Sequence, residues 1–148
     1  MSFESLWQER RAESLKKLIF PFDYREGQKD LAVSVYRTIA RKKRLFIQAP
    51  TGVGKTLSVL FPALKAMGEG LASRIFYLTA RTITRTVAVD ALDLLRQQGM
   101  ELKTVVLTAK EKLCVCEKPE CDPDHCPRAK GHFDRINQAV YELWTTGP

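Results

Sequence analysis

A chain of 148 residues is long enough for one domain with a single hydrophobic core. Because no apolar run approaches the length of a membrane span and the N-terminus lacks a signal-peptide pattern, we expect a soluble, cytoplasmic protein with no membrane partner. The net charge of +7 favours a polyanionic partner such as nucleic acid, although a basic surface that only keeps the protein in solution fits it equally well.

The N-terminal region predicts two helices separated by a proline. Residues 4–18 carry a rough apolar stripe, and residues 26–41 repeat apolar side chains every four positions. Pro21 interrupts the first helix because helical geometry is disfavoured at the residue before a proline. The basic run at 41–44 is predicted as the last turn of the second helix, where positive charge suits the helix dipole.

A glycine-containing loop follows the apolar run at 45–47. Its sequence at 49–56, Ala-Pro-Thr-Gly-Val-Gly-Lys-Thr, matches the phosphate-loop pattern G-x-x-x-x-G-K-S/T except that Ala49 replaces the first glycine. In such a loop successive backbone N–H groups wrap the β-phosphate, and the N-terminus of the next helix adds partial positive charge. A chance glycine-rich turn before a helix is the alternative.

We predict that ATP or a close relative binds at this loop. Lys55 would contact the β- and γ-phosphates and the Thr56 hydroxyl would ligate Mg²⁺, which makes these two the candidate catalytic residues. The nucleotide-binding residues predicted within the loop are Thr51, Gly52, Val53, Gly54, Lys55 and Thr56.

Strand-like and helix-like patterns alternate from the loop onward. The apolar runs at 45–47, 75–78 and 105–107 predict three buried strands. A helix kinked at Pro62 is predicted between the first two strands, and a helix over 86–98 between the second and the third. This order predicts an α/β fold with a parallel sheet and right-handed crossovers.

All four cysteines lie in one short segment where the apolar periodicity is lost, namely Cys114, Cys116, Cys121 and Cys126. Clustered thiols in a protein expected in the cytosol indicate metal or iron–sulfur ligation more than disulfides. Four thiolates suit either a 4Fe-4S cluster or a tetrahedral zinc ion. Free structural cysteines are the remaining alternative, although these usually lie in apolar runs. A helix over 133–144 is predicted after this segment.

The phosphate loop resembles the first motif of superfamily 2 helicases, and its neighbours resemble the iron–sulfur helicases of the XPD/DinG type. The upstream sequence F-P-F-D-Y-R-E-G-Q at 20–28 resembles the motif that precedes the phosphate loop in that family. The resemblance implies that Gln28, with Arg25, recognises the adenine base, and the Gln28 amide offers both a donor and an acceptor. A solvated glutamine at a helix start is the alternative.

The downstream sequence Y-L-T-A-R-T at 77–82 resembles the second motif of the same family. The resemblance implies that Arg81 and Thr82 contact the phosphates of single-stranded DNA, which an arginine guanidinium can grip through two hydrogen bonds. An arginine that caps the following helix is the alternative.

The cysteine segment follows this second motif, at the point where the family carries an inserted iron–sulfur domain. The placement implies a 4Fe-4S cluster whose ligands are Cys114, Cys116, Cys121 and Cys126. The cysteine spacing departs from the family's usual one, so His125 or a residue beyond Pro148 is a candidate to replace Cys114 or Cys116. Zinc remains the alternative to iron–sulfur.

The resemblance implies a partial RecA-like P-loop NTPase domain over 1–113, an iron–sulfur insertion over 114–132 and the start of a helical segment over 133–148. It also implies an ATP-dependent DNA helicase that moves 5′ to 3′, with single-stranded DNA and the remainder of the helicase, including a second motor domain, as partners. The alternative is a nucleotide-binding module with a zinc-stabilised knob that docks nucleic acid or a partner and does no motor work.

The family's Asp-Glu-x-His motif, which holds Mg²⁺ and orients the attacking water, does not occur in the 148 residues. We therefore expect a piece of a longer protein or a truncated gene product. We also expect no appreciable ATP hydrolysis or DNA unwinding by this chain alone.

Overall fold

The computed structural model describes residues 3–50, 52–80, 82–117 and 120–146. Within these ranges the helices, in chain order, are α1 (Phe3–Lys17), α2 (Gln28–Ala40), α3 (Lys55–Gly68), α4 (Thr82–Arg96), α5 (Lys110–Leu113) and α6 (His132–Thr146). The chain divides into two compact units, Met1–Lys103 and Thr104–Pro148. Among the described residues, no helix is both long enough and apolar enough to cross a bilayer.

The predicted α/β fold with a parallel sheet is wrong for the part of the chain that the structure describes, which is helical and contains no strand. The three apolar runs at 45–47, 75–78 and 105–107 lie outside any ladder of backbone hydrogen bonds. Several of their side chains are almost fully exposed, with Phe46 at 93% and Leu107 at 88%. A strand exists only through hydrogen bonds to a neighbouring strand, and a local apolar pattern does not supply that neighbour.

Four of the predicted helices are confirmed, with ends that differ by a few residues. Helix α1 corresponds to the predicted 4–18, α2 to 26–41, α4 to 86–98 and α6 to 133–144. The largest difference is at α4, which begins at Thr82, four residues before the predicted start. Helix α3, which was predicted to kink at Pro62, includes this proline in its interior and continues to Gly68.

The core of the first unit is centred on α3, which packs against α1, α2 and α4. The buried cluster consists of Leu15, Leu18, Leu57, Leu64, Met67, Leu95 and Met100. A helix with three neighbours is apolar around most of its surface, which explains why nine residues of α3 are buried. Helices α1 and α3 approach so closely at Gly68 that a Cβ there would lie 2.8 Å from the Leu15 Cβ.

One lysine of α3 stabilises the end of α1. The Lys65 ammonium donates to the Lys16 carbonyl and, at 3.2 Å, to the Leu18 carbonyl. The last carbonyls of a helix have no partner within the helix, so a cation from a neighbouring helix can satisfy them.

The second unit has little apolar packing. Among its residues whose exposure the structure describes, none is buried, and the apolar side chains Phe133, Val140 and Leu143 of α6 are exposed. Short turns hold the segment before α6, for example the Cys126 amide that donates to the Asp122 carbonyl at 2.8 Å.

Candidate functional site

The phosphate loop leads directly into α3. Gly54 is the N-cap of this helix with φ 73°, and Gly52 has φ 89°. Both values lie in the left-handed region, which glycine adopts without the steric cost that other residues incur. The two glycines of the motif are therefore required by the backbone path of the loop. Thr51, also predicted to bind nucleotide, lies outside the described residues.

Gln28 begins α2 and packs against this loop. Its side chain is 5% exposed, and its Nε2 would lie 2.6 Å from a Cβ placed on Gly54. Its Oε1 accepts a hydrogen bond of 3.0 Å from the Arg25 backbone N–H. The structure therefore brings Gln28 to the phosphate loop as a buried residue, so it is not a solvated glutamine at a helix start.

Two cations hold the carbonyl groups of the loop. The Arg25 Nη1 donates to the Gly52 carbonyl at 2.6 Å. The Lys55 Nζ donates to the carbonyls of Ala49 at 3.0 Å and Pro50 at 2.6 Å. Hydrogen bonds from an ammonium to an anionic phosphate oxygen are stronger than those to a neutral carbonyl. Lys55 can therefore exchange its carbonyl partners for phosphate oxygens.

Two further hydroxyl groups contact the loop and its helix. The buried Ser58 Oγ donates to the Gly54 carbonyl at 3.1 Å, which fixes the first turn of α3. The Tyr77 hydroxyl lies 3.5 Å from the Thr56 Oγ1, the predicted Mg²⁺ ligand. Neither residue was assigned a role from the sequence, and the only signal for Tyr77 was its place in the motif at 77–82.

Two cavities adjoin the loop within the first unit. The larger, of about 830 Å³, is lined by Arg25 and by residues of the segment 45–53. The smaller, of about 470 Å³, is lined by Gln28, Gly54 and Thr56, among others. Both volumes are in the range of pockets that bind small molecules. Asp90 of α4 also lines the smaller cavity, although no motif in the sequence places it near Thr56.

Three of the four cysteines influence one another electrostatically in the second unit. Interaction with the Cys114 thiol, and more weakly with the Cys126 thiol, raises the pKa of Cys116. The backbone N–H groups of Ala129 and Arg128 lower the pKa of Cys126. Thiolates are soft ligands that suit zinc or an iron–sulfur cluster, so among the described residues these side chains have the donor type of a metal site but not its arrangement.

The fourth cysteine has a different neighbour. Cys121 is hydrogen-bonded to the Lys110 ammonium, and this contact raises the pKa of Lys110. His125, the candidate replacement ligand, directs its Nδ1 to the Asp122 carboxylate at 3.0 Å. The four thiols form no disulfide, and in the ranges that the structure describes no group of three or more His, Cys, Asp or Glu side chains has the geometry of a metal site.

The predicted DNA contacts are only partly covered by the structure. Thr82 is the first residue of α4, and Arg81 lies outside the described residues. The contact of these two residues with DNA phosphates stays a prediction.

Comparison with known proteins gives one family and two relatives. A family model described as DEAD/DEAH box helicase matches residues 29–118. The chain is 50% identical over 46 residues to the Probable ATP-dependent helicase MJ0942 of Methanocaldococcus jannaschii, covering 30% of this chain and 7% of that protein. It is 44% identical over 59 residues to the ATP-dependent DNA helicase YoaA of Escherichia coli, covering 40% of this chain and 9% of that protein.

These matches extend over less than a tenth of the length of either relative. The family match includes the phosphate loop, Cys114 and Cys116. No solved structure matches the chain significantly.

Proposed function

This chain belongs to the DEAD/DEAH box helicase family, and we propose that it forms the ATP-binding part of an ATP-dependent DNA helicase of the XPD/DinG type. The observation that carries this proposal is the phosphate loop, in which the left-handed Gly52 and Gly54 lead into α3 at Lys55. Burial of Gln28 against the same loop supports it.

In the proposed role Lys55 leaves the carbonyls of Ala49 and Pro50 and binds the β- and γ-phosphates of ATP. The Thr56 hydroxyl holds Mg²⁺, which neutralises charge on the phosphate oxygens when it is bound. Arg25 and Gln28 contact the adenine base. The Arg25 guanidinium already donates a hydrogen bond to the Gly52 carbonyl of the phosphate loop. Arg25 would therefore lie between the adenine base and the phosphates of the bound nucleotide.

Single-stranded DNA is the proposed nucleic acid partner. Arg81 and Thr82 would contact its phosphates, and the net charge of +7 favours a polyanion. Movement 5′ to 3′ and cooperation with a second motor domain are proposed from the resemblance to XPD/DinG helicases.

The cysteine segment is proposed to bind a 4Fe-4S cluster through Cys114, Cys116, Cys121 and Cys126. The placement of all four thiols within residues 114–126 supports a shared ligand. None of the residues of this unit whose exposure the structure describes is buried, so apolar packing does not hold the unit together. The cluster would act as a cross-link between distant parts of the segment.

A zinc ion bound by the same thiols is the second candidate. It would accompany the alternative function, a nucleotide-binding module that does no motor work. The purified protein distinguishes the two metals. Iron–sulfur gives brown colour with visible absorbance at about 400 nm, whereas a colourless protein with stoichiometric zinc would favour the module.

Nucleotide binding is tested by titrating a fluorescent ATP analogue with Mg²⁺ into the purified chain. We expect Lys55→Ala to weaken binding at least about tenfold, because a charge-assisted contact to phosphate contributes more than about 1.4 kcal/mol. Lys17→Ala at the end of α1 is the charge-matched control and should bind as the wild type does. Equal binding by wild type and Lys55→Ala would refute the proposed site.

A further inference from the structure

A basic turn, defined as Arg41, Lys42, Lys43 and Arg44, follows the last residue of α2. All four residues are exposed, and among the residues that the structure describes none of them forms a salt bridge. The sequence predicted this run as the last turn of the helix, but α2 ends at Ala40 and its last turn already contains Arg37. The four cations therefore add to the positive charge that the last turn of the helix already carries.

The backbone of the basic turn is fixed. The Lys42 N–H donates to the Ile39 carbonyl and the Lys43 N–H to the Thr38 carbonyl, each at 3.0 Å. This pair of bonds is the Schellman pattern that ends many helices, and it satisfies the terminal carbonyls without any side chain. Arg41, Lys42 and Lys43 are thus presented from a hydrogen-bonded turn, and Arg44 follows directly.

Lys42 occupies a position that normally belongs to glycine. Its φ is 53°, and it is the non-glycine residue with positive φ among those described. Helix α3 ends with the same pattern, but there the equivalent residue is Gly70 with φ 78°. A lysine in the left-handed region is strained, so glycine at this position would make the turn more stable. Strain at a fixed position is a reason to look for a function of the side chain.

The basic turn lies far from the nucleotide site. Helix α2 has 13 residues, begins with Gln28 at the phosphate loop, and ends at the basic turn. At a rise of about 1.5 Å per residue, the helix separates the basic turn from the phosphate loop by about 20 Å. A lysine or arginine side chain is too short to span this distance. The four cations therefore do not serve the phosphates of ATP.

We propose that the basic turn is a second contact site for the phosphate backbone of DNA, separate from Arg81 and Thr82. This inference rests on the proposed function, which provides DNA as the polyanion. Closely spaced Lys and Arg side chains displace counterions from successive phosphates, and they do so without reading the base sequence.

The test measures binding of a labelled single strand to the full chain over a range of salt concentrations. The variants are Lys42→Gly and a triple variant with Arg41→Gln, Lys43→Gln and Arg44→Gln. For single strands the slope of log affinity against log salt falls by about 0.7 for each phosphate that the protein no longer neutralises. We expect a fall of about 0.7 for Lys42→Gly and of about 2 for the triple variant, with affinity at least about tenfold weaker for the latter.

The control removes two cations elsewhere, by replacing Lys16 and Lys17 of α1 with Gln, and should keep the wild-type slope. Lys42→Gly should also keep or raise the melting temperature, because it relieves the left-handed strain, so its weaker binding would not reflect unfolding. A wild-type slope in both turn variants, or an equally reduced slope in the control, would overturn the proposal. Binding of MgATP by the same proteins tests the proposed function separately, because neither turn variant touches the nucleotide site.

Discussion

At the scale of single residues, the phosphate loop depends on two glycines that differ in what surrounds them. Gly52 and Gly54 both have left-handed φ values, but a Cβ on Gly52 would meet nothing within 4 Å. A Cβ on Gly54 would lie 2.6 Å from the Gln28 Nε2. The backbone of the loop therefore requires glycine at both positions, and packing against Gln28 adds a second requirement at Gly54.

We predict that Gly54→Ala lowers the free energy of unfolding more than Gly52→Ala does. Both variants incur the strain of a non-glycine residue in the left-handed region, which costs about 1 kcal/mol. Gly54→Ala must also displace the Gln28 amide from its hydrogen bond, which costs about another 1 kcal/mol. Urea denaturation of the two variants beside the wild type measures the difference. Equal losses of stability would show that Gln28 does not pack against the loop in solution.

At the scale of the helices, α3 organises the first unit because it is the common neighbour of α1, α2 and α4. Leu64 is 1% exposed and belongs to the central cluster, whereas Val59 on the same helix is only half-buried. The same helix also presents Lys55 and Thr56 at its first turn. Stability of the core and placement of the nucleotide site therefore depend on one element.

Leu64→Ala should lower the free energy of unfolding by about 2–5 kcal/mol, because it removes buried methyl groups and leaves a cavity. Val59→Ala is the control on the same helix and should cost clearly less. Denaturant titrations of both variants provide the comparison, and a destabilisation by Val59→Ala as large as that by Leu64→Ala would contradict the packing described for α3.

At the scale of the whole chain, the two units are held in different ways. The first unit has a buried cluster on α1, α3 and the end of α4, whereas the second has no buried residue among those whose exposure the structure describes. A unit without an apolar core needs another source of stability, and a metal or cluster bound by several thiolates is one such source. The proposed ligands all lie in the second unit.

Removal of the metal or cluster should therefore affect the second unit alone. After treatment with oxidant and chelator, we expect limited proteolysis to cut first within 104–146, while the melting transition of the first unit stays unchanged. The holo protein under the same protease is the control. If residues 104–146 resist the protease equally well before and after metal removal, thiolate ligation is not what stabilises this unit.

The sequence by itself determined the features that depend on neighbouring residues. Apolar periodicity located α1, α2, α4 and α6, because the side-chain spacing of a helix is a local property. The phosphate-loop motif located the turn before α3, because its glycines allow the left-handed backbone that the loop adopts.

Tertiary structure decided the features that need residues distant along the chain. The predicted sheet was wrong because the apolar runs, such as 75–78, have the local pattern of strands but no strand partner in the described residues. Burial of Gln28 against Gly54 and the glycine-like geometry of Lys42 are likewise visible only in the folded chain. Each depends on a contact or a dihedral angle that residue identity alone leaves open, because the same residues can adopt several conformations until packing selects one.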